Sequence, residues 1–207
     1  MSYILNIYEK NKFIYSNITY NGKLFIKIKK NSNSFHYYLL KSLRKKKINI
    51  TIINAISVNL GPAISYTRIR NILASAKGFC LSLNIPLIKL NSFLLLINYK
   101  KKIIKKYNKI NFILHKHDNS IFIVEYNFLK KKIKHKKYIK NIQKYIIKNN
   151  NKTFFFINKN FKNNYKKIKN IIYFYKIPYN YLNKFSYKLY LNKKFINNIN
   201  ICLPIYI

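Results

Sequence analysis

Three carboxylates, four histidines and two cysteines are the chain's main stock for acid–base, metal or thiol chemistry over 207 residues. The carboxylates are Glu9, Asp118 and Glu125, too few and too scattered to supply a general acid and a general base together. His115 and His117 alternate in "LHKHD" and would share one face of a strand. A metal there would want a third ligand, and the neighbouring Asp118 points the opposite way. No HExxH or HxxxH spacing is present, nor a GxSxG elbow, and neither Cys80 nor Cys202 has an evident histidine partner. His36 falls on an expected helix and reads as a surface or interface residue. No residue is therefore assigned to catalysis, to a cofactor or to a metal.

One stretch is written in a different vocabulary. "LGPAISYTRIRNILASAKGFC", Leu60–Cys80, holds two of the three glycines (Gly61, Gly78), two of the three arginines (Arg68, Arg70) and three of the four alanines. Gly61-Pro62 breaks the chain direction, and Ser65 or Thr67 can cap a helix by accepting an orphan backbone N–H. The helix is expected from Thr67 to Leu83, ended by Asn84 in a left-handed turn and by Pro86. Ala74 and Gly78, four apart, share a face on which another backbone can come close. That neighbour is either a partner's helix or the protein's own sheet. "GPAISYT" has one glycine, a proline without an N–H, and no GK[ST] after it, so it is not a phosphate-binding loop.

The elements around it set its place. "SYILNIY" (2–8), "KFIYSNITY" (12–20) and "KLFIKIK" (23–29) read as strands, the last two joined at Asn21-Gly22, a strong hairpin signal. Apolar spacing predicts a helix over 34–47, and "TIINAISV" (51–58) reads as a buried strand. "PLIKL" (86–90) completes a strand–helix–strand unit, followed by a helix over about 91–106. Strands are expected at 110–115, 120–126 and 152–157, and helices at 135–148, 164–170 and 180–191. The tail "ICLPIYI" (201–207) is apolar and expected to pack down. The chain divides best into 1–104 and 105–207, an α/β architecture.

The formal charge is +39, from 42 Lys+Arg against 3 Asp+Glu. Such a charge attracts polyanions in a salt-dependent way. Lys, Asn, Ile, Tyr and Phe also share A/T-rich codons, and the lysines are spread along the chain, so compositional drift accounts for most of it. The cysteine usage fits a reducing compartment, "MSYILNIYEKNKF" lacks a secretory pattern, and "SFLLLINY" (92–99) is too short to span a bilayer. The expectation is a cytoplasmic protein away from membranes.

The ordered elements Gly61-Pro62, Ser65-Tyr66-Thr67, Arg70, Leu73-Ala74-Ser75-Ala76-Lys77-Gly78 and Asn84-Ile85-Pro86-Leu87 resemble the signature of the TsaB family. That family is the dimerisation subunit of the bacterial machinery that makes threonylcarbamoyladenosine in tRNA. The resemblance is tight over 56–93 and weaker over the opening strands, 33–43, 113–126 and the tail. It implies an actin-like, Hsp70-like (RNase H-type) fold of two related α/β subdomains. It also implies a non-catalytic scaffold that docks a TsaD-like catalytic subunit, with a TsaE-like ATPase engaging the pair and tRNA reached only through the complex. Docking would use the helices at 34–47 and 67–83, through Leu39, Leu40 and Leu43 and through Ile69, Leu73, Ala74, Lys77, Gly78 and Leu81. A homodimer through the same helices is a variant of this reading.

The chain also departs from the pattern. Tyr8 stands where the family has an early aspartate, a position that helps hold metal and phosphate in related ATPases. Arg68 and Ile72 replace glycines, and one residue is inserted between Pro62 and Ser65. These changes oppose nucleotide binding, and with it a self-sufficient actin-like phosphotransferase. They leave a helical docking face intact. The rival reading is a basic RNA-binding or ribosome-associated protein with no part in threonylcarbamoyl transfer, suggested by Tyr and Phe interleaved with Lys.

Overall fold

The computed structural model describes residues 1–10, 13–30, 35–61, 66–99, 109–115, 121–127, 132–136, 153–158, 171–174, 178–196 and 203. The chain opens with β1 (Tyr3–Lys10), β2 (Phe13–Tyr20) and β3 (Lys23–Lys30), an antiparallel meander. Asn21 and Gly22 turn it with φ of 47° and 76°, the paired positive values of the tightest hairpin. Helix α1 (Phe35–Lys45) follows, then a 3-10 turn at Ile50–Ile52 and β4 (Ile53–Asn59). Helix α2 (Tyr66–Leu83) ends at Asn84, held left-handed at φ 52° as its sequence suggests. β5 (Leu87–Leu90) and α3 (Ser92–Tyr99) come next; Asn91 caps α3 by accepting from the N–H groups of Phe93 and Leu94.

These strands form a sheet in the order β3-β2-β1-β4-β5, with β1, β4 and β5 parallel. Alternation along β1 sorts the side chains. Leu5 and Ile7 enter an aliphatic cluster with Ile18, Ile56 and Val58 of the sheet, Leu39 and Leu43 of α1, and Ile72, Leu73 and Ala76 of α2. Asn6 and Tyr8 point to the other face, where α4 (Tyr179–Leu191) lies. There the Ser186 hydroxyl donates to Asn6 Oδ1 at 2.5 Å.

A second sheet is built from β6 (Lys109–His115), β7 (Ile121–Asn127), β8 (Lys132–Lys136), β9 (Thr153–Asn158) and β10 (Ile171–Phe174). Its order, β8-β7-β6-β9-β10, repeats the first: three antiparallel strands, then two added in parallel. Ile110, Phe112, Ile123 and Val124 are buried within it.

Several expectations are revised. β8 occupies the start of the helix expected over 135–148, because "KIKHK" pairs with β7; the rest of that span lies outside the described residues. β10 was not foreseen, and 164–170 is likewise outside. Of the tail, Leu203 is described, and it is exposed rather than packed down. Contacts divide the chain into Met1–Leu95 with Pro178–Tyr206, and Leu96–Ile177 with Ile207. The C-terminal helix therefore returns to the first unit instead of joining a 105–207 subdomain. Its return is held by Ser186 on Asn6 and by Tyr179 beside Tyr8 and Tyr15.

Candidate functional site

Helix α2 carries two different stripes. Ile69, Ile72, Leu73, Ala76 and Cys80 recur at three- and four-residue intervals and are buried. On the opposite side Thr67, Arg70, Ala74, Gly78 and Leu81 are exposed. Leu81 is 67% exposed and lines a groove of about 630 Å³ between the C-terminal ends of α2 and α4, with Pro86, Tyr190 and Phe195. On α1, Leu39 and Leu43 are buried, whereas Leu40 is 39% and Tyr37 61% exposed.

The nine residues expected at a partner interface are thus separated. Leu39, Leu43, Ile69 and Leu73 lie inside the monomer, at 4% exposure or less, and have no surface left for a partner. Helical periodicity shows that apolar residues share a face but not which body covers it. Leu40, Ala74, Gly78 and Leu81 are on the outside, and Lys77 is half-buried between the two stripes. Tyr37, not singled out beforehand, joins the outer set. A Cβ added to Gly78 would meet nothing within 4 Å. The smallness of Gly78 is therefore not required by the protein's own packing.

Of the turn and cap, Gly61 is buried with φ 110°, its N–H donating to Asn59 Oδ1 and its carbonyl accepting from Ser92 N–H. Thr67 lies within the first turn of α2 and is exposed; Pro62 and Ser65 lie outside the described residues.

Tyr8 is buried, and its hydroxyl accepts from Asn17 Nδ2 at 3.0 Å. Its ring stacks on Tyr15 at 5.6 Å and lies 5.4 Å from Tyr179, over which Lys27 Nζ sits at 4.9 Å. Burial, and then the neighbouring Tyr179, push the Tyr8 phenol well above its ordinary range, against the pull of the Asn17 hydrogen bond. A neutral phenol in an aromatic stack cannot supply the carboxylate that a metal–phosphate site needs. Glu125 is buried in β7 and His115 lies in β6, while His117 and Asp118 are outside the described residues. Among the described residues no three metal-ligating side chains gather. Nor is any described helix long and apolar enough to cross a membrane.

No protein-family model matches this sequence, and no curated protein matches it. Solved structures do. A Pseudomonas aeruginosa protein described as similar to the peptidase YeaZ matches over 100% of this chain and 99% of its own, with TM-score 0.65 and 10% identity. YeaZ from the same organism, a member of the TsaB family, matches over 100% of both chains with TM-score 0.63, again at 10% identity. With the repeated sheet order, these likenesses define the class: a mixed α/β fold of two sheets of the kind YeaZ has. Within that class the chain is similar in fold, over its whole length, to YeaZ.

Proposed function

We propose that the chain is a non-catalytic docking subunit of the TsaB type, which presents the outer face of α1 and α2 to a TsaD-like catalytic subunit. A TsaE-like ATPase then engages the pair, and tRNA is reached through the complex. One observation carries the reading: the exposed stripe of Ala74 and Gly78, running to a strongly exposed Leu81, in a chain otherwise crowded with lysine. Glycine inside a helix costs roughly 0.5–1 kcal/mol relative to alanine. At Gly78 nothing within the monomer offsets that cost, whereas a second helix crossing there would. Leu40 and Tyr37 add apolar surface on α1. The fold likeness to YeaZ agrees with such a role.

The test is co-expression with the catalytic subunit from the same organism, followed by size-exclusion with light scattering at high salt, where attraction from bulk charge is screened. A heterodimer lost on Gly78→Lys is the expected result. Gly78→Ala should raise the stability of the isolated chain by about 0.5–1 kcal/mol. A wild-type chain that stays monomeric beside that subunit overturns the proposal. A dimer formed by the chain alone, and lost on Gly78→Lys, would assign the face to self-association.

A further inference from the structure

One end of the first unit combines aromatic and basic side chains in a way that docking does not use. Tyr3 opens β1 and is paired with Tyr20, the last residue of β2, and with Ile53, the first of β4. The β2–β3 turn and the segment leading into β4 therefore meet at the same end of the sheet. Between Ile18↔Ile26 and Thr19↔Leu24 the ladder slips, leaving Phe25 as the extra residue of a bulge. Its ring lies edge-on to Tyr3 at 5.8 Å, and Tyr3 lies 4.8 Å from Tyr20. Phe25 is 52% exposed. A half-exposed ring is thus held against Tyr3, which is itself backed by Tyr20.

Basic residues lie at the same end of the sheet. Lys23 begins β3, and Arg44, Lys45, Lys46 and Lys47 end α1, which packs against β3; all five are exposed. Lys47 closes α1 at φ 53°, while Ile48 N–H donates to Leu43 O and Lys47 N–H to Arg44 O. Glycine normally occupies that left-handed position. A lysine there holds the run in a fixed turn at some cost in strain.

We propose that this end of the first unit binds a single-stranded RNA segment, its phosphates on Lys23 and the Arg44–Lys47 run and a base stacked on Phe25. Fixed cations beside an exposed aromatic face are what an unpaired polynucleotide engages, through counterion release and stacking. Polynucleotide binding stands apart from the docking role; the choice of RNA over DNA rests on the proposed setting in tRNA modification. The surface adjoins the docking face at Arg44, one turn beyond Leu40 on α1. Phe25, Lys45 and Lys46, the residues the test alters, are not part of the Tyr37, Leu40 and α2 stripe, so either proposal can fail alone.

The test uses the isolated full chain and a labelled ten-nucleotide oligouridine, with affinity measured by fluorescence anisotropy across a salt series. The expected results are specific. Phe25→Ala should weaken binding about 5- to 100-fold with the salt slope unchanged. K45Q/K46Q should weaken binding and reduce the slope by about 1.4. K89Q/K184Q removes the same charge at exposed positions elsewhere and should do much less. Equal losses in the two lysine pairs, or no loss on Phe25→Ala, would mean attraction by bulk charge and overturn the proposal. Equal affinity for the deoxy oligomer would overturn the assignment to RNA.

Discussion

On one face of the first sheet, α1 and α2 close over Leu5, Ile7, Ile18, Ile56 and Val58. On the other, α4 closes over Asn6, Tyr8, Tyr15 and Asn17, neighbours across β1 and β2. Aliphatic contact is non-directional and scales with buried area. It fixes that the two helices lie down, and helical periodicity decides which stripe they bury. Hydrogen bonds and stacked rings are directional. Ser186 on Asn6 and Tyr179 beside Tyr8 set where along the sheet α4 stops. The aliphatic cover leaves Leu40, Ala74, Gly78 and Leu81 exposed on the backs of α1 and α2. The polar cover brings a distant part of the chain home and closes over Tyr8 with Tyr15 and Tyr179.

The sharpest way to break this contrast is in the core. Leu43→Ala, at a site 2% exposed, should cost about 2–5 kcal/mol in urea unfolding. A cost near zero would mean that α1 is not held by its aliphatic stripe. Ser186→Ala should cost less, about 1–3 kcal/mol, by leaving Asn6 Oδ1 without its donor from α4. If it costs nothing, α4 is placed by its apolar contacts and the two covers do not differ in kind. Tyr8→Phe likewise leaves the buried Asn17 Nδ2 without its acceptor and should cost a similar amount at neutral pH, about 1–3 kcal/mol. Its signature lies at alkaline pH. Above about pH 10 an unfolded tyrosine releases its proton while folded Tyr8 keeps it, so stability falls as pH rises. Urea midpoints of Tyr8→Phe should decline less steeply than wild type from pH 10 upward.

Much of this was legible in order along the chain. Asn21-Gly22 marked the hairpin, Asn84 the left-handed end of α2, and Leu60–Cys80 the region of unusual composition. β8, KIKHK, was not legible because one apolar residue among lysines sets no period and the segment is a strand by virtue of its pairing with β7. β10, IIYF, is β-prone but only four residues long, too short to show a pattern. The candidate face was half legible. Spacing grouped Ala74 with Gly78 correctly, but it also drew in Leu39, Leu43, Ile69 and Leu73, which the sheet beneath them claims. The Phe25 platform had no local signal, since it depends on Tyr3 and Tyr20 from two other strands.

The sequence by itself determined the early strand meander, the boundaries of α2 and the scarcity of groups for catalysis, because turns, helix ends and residue types are local properties. Tertiary structure alone decided which side of α2 meets water, that the last helix belongs with the first sheet, and that Tyr8 is buried in an aromatic stack. Each of these depends on partners far away in sequence, and no local pattern encodes the burial they impose.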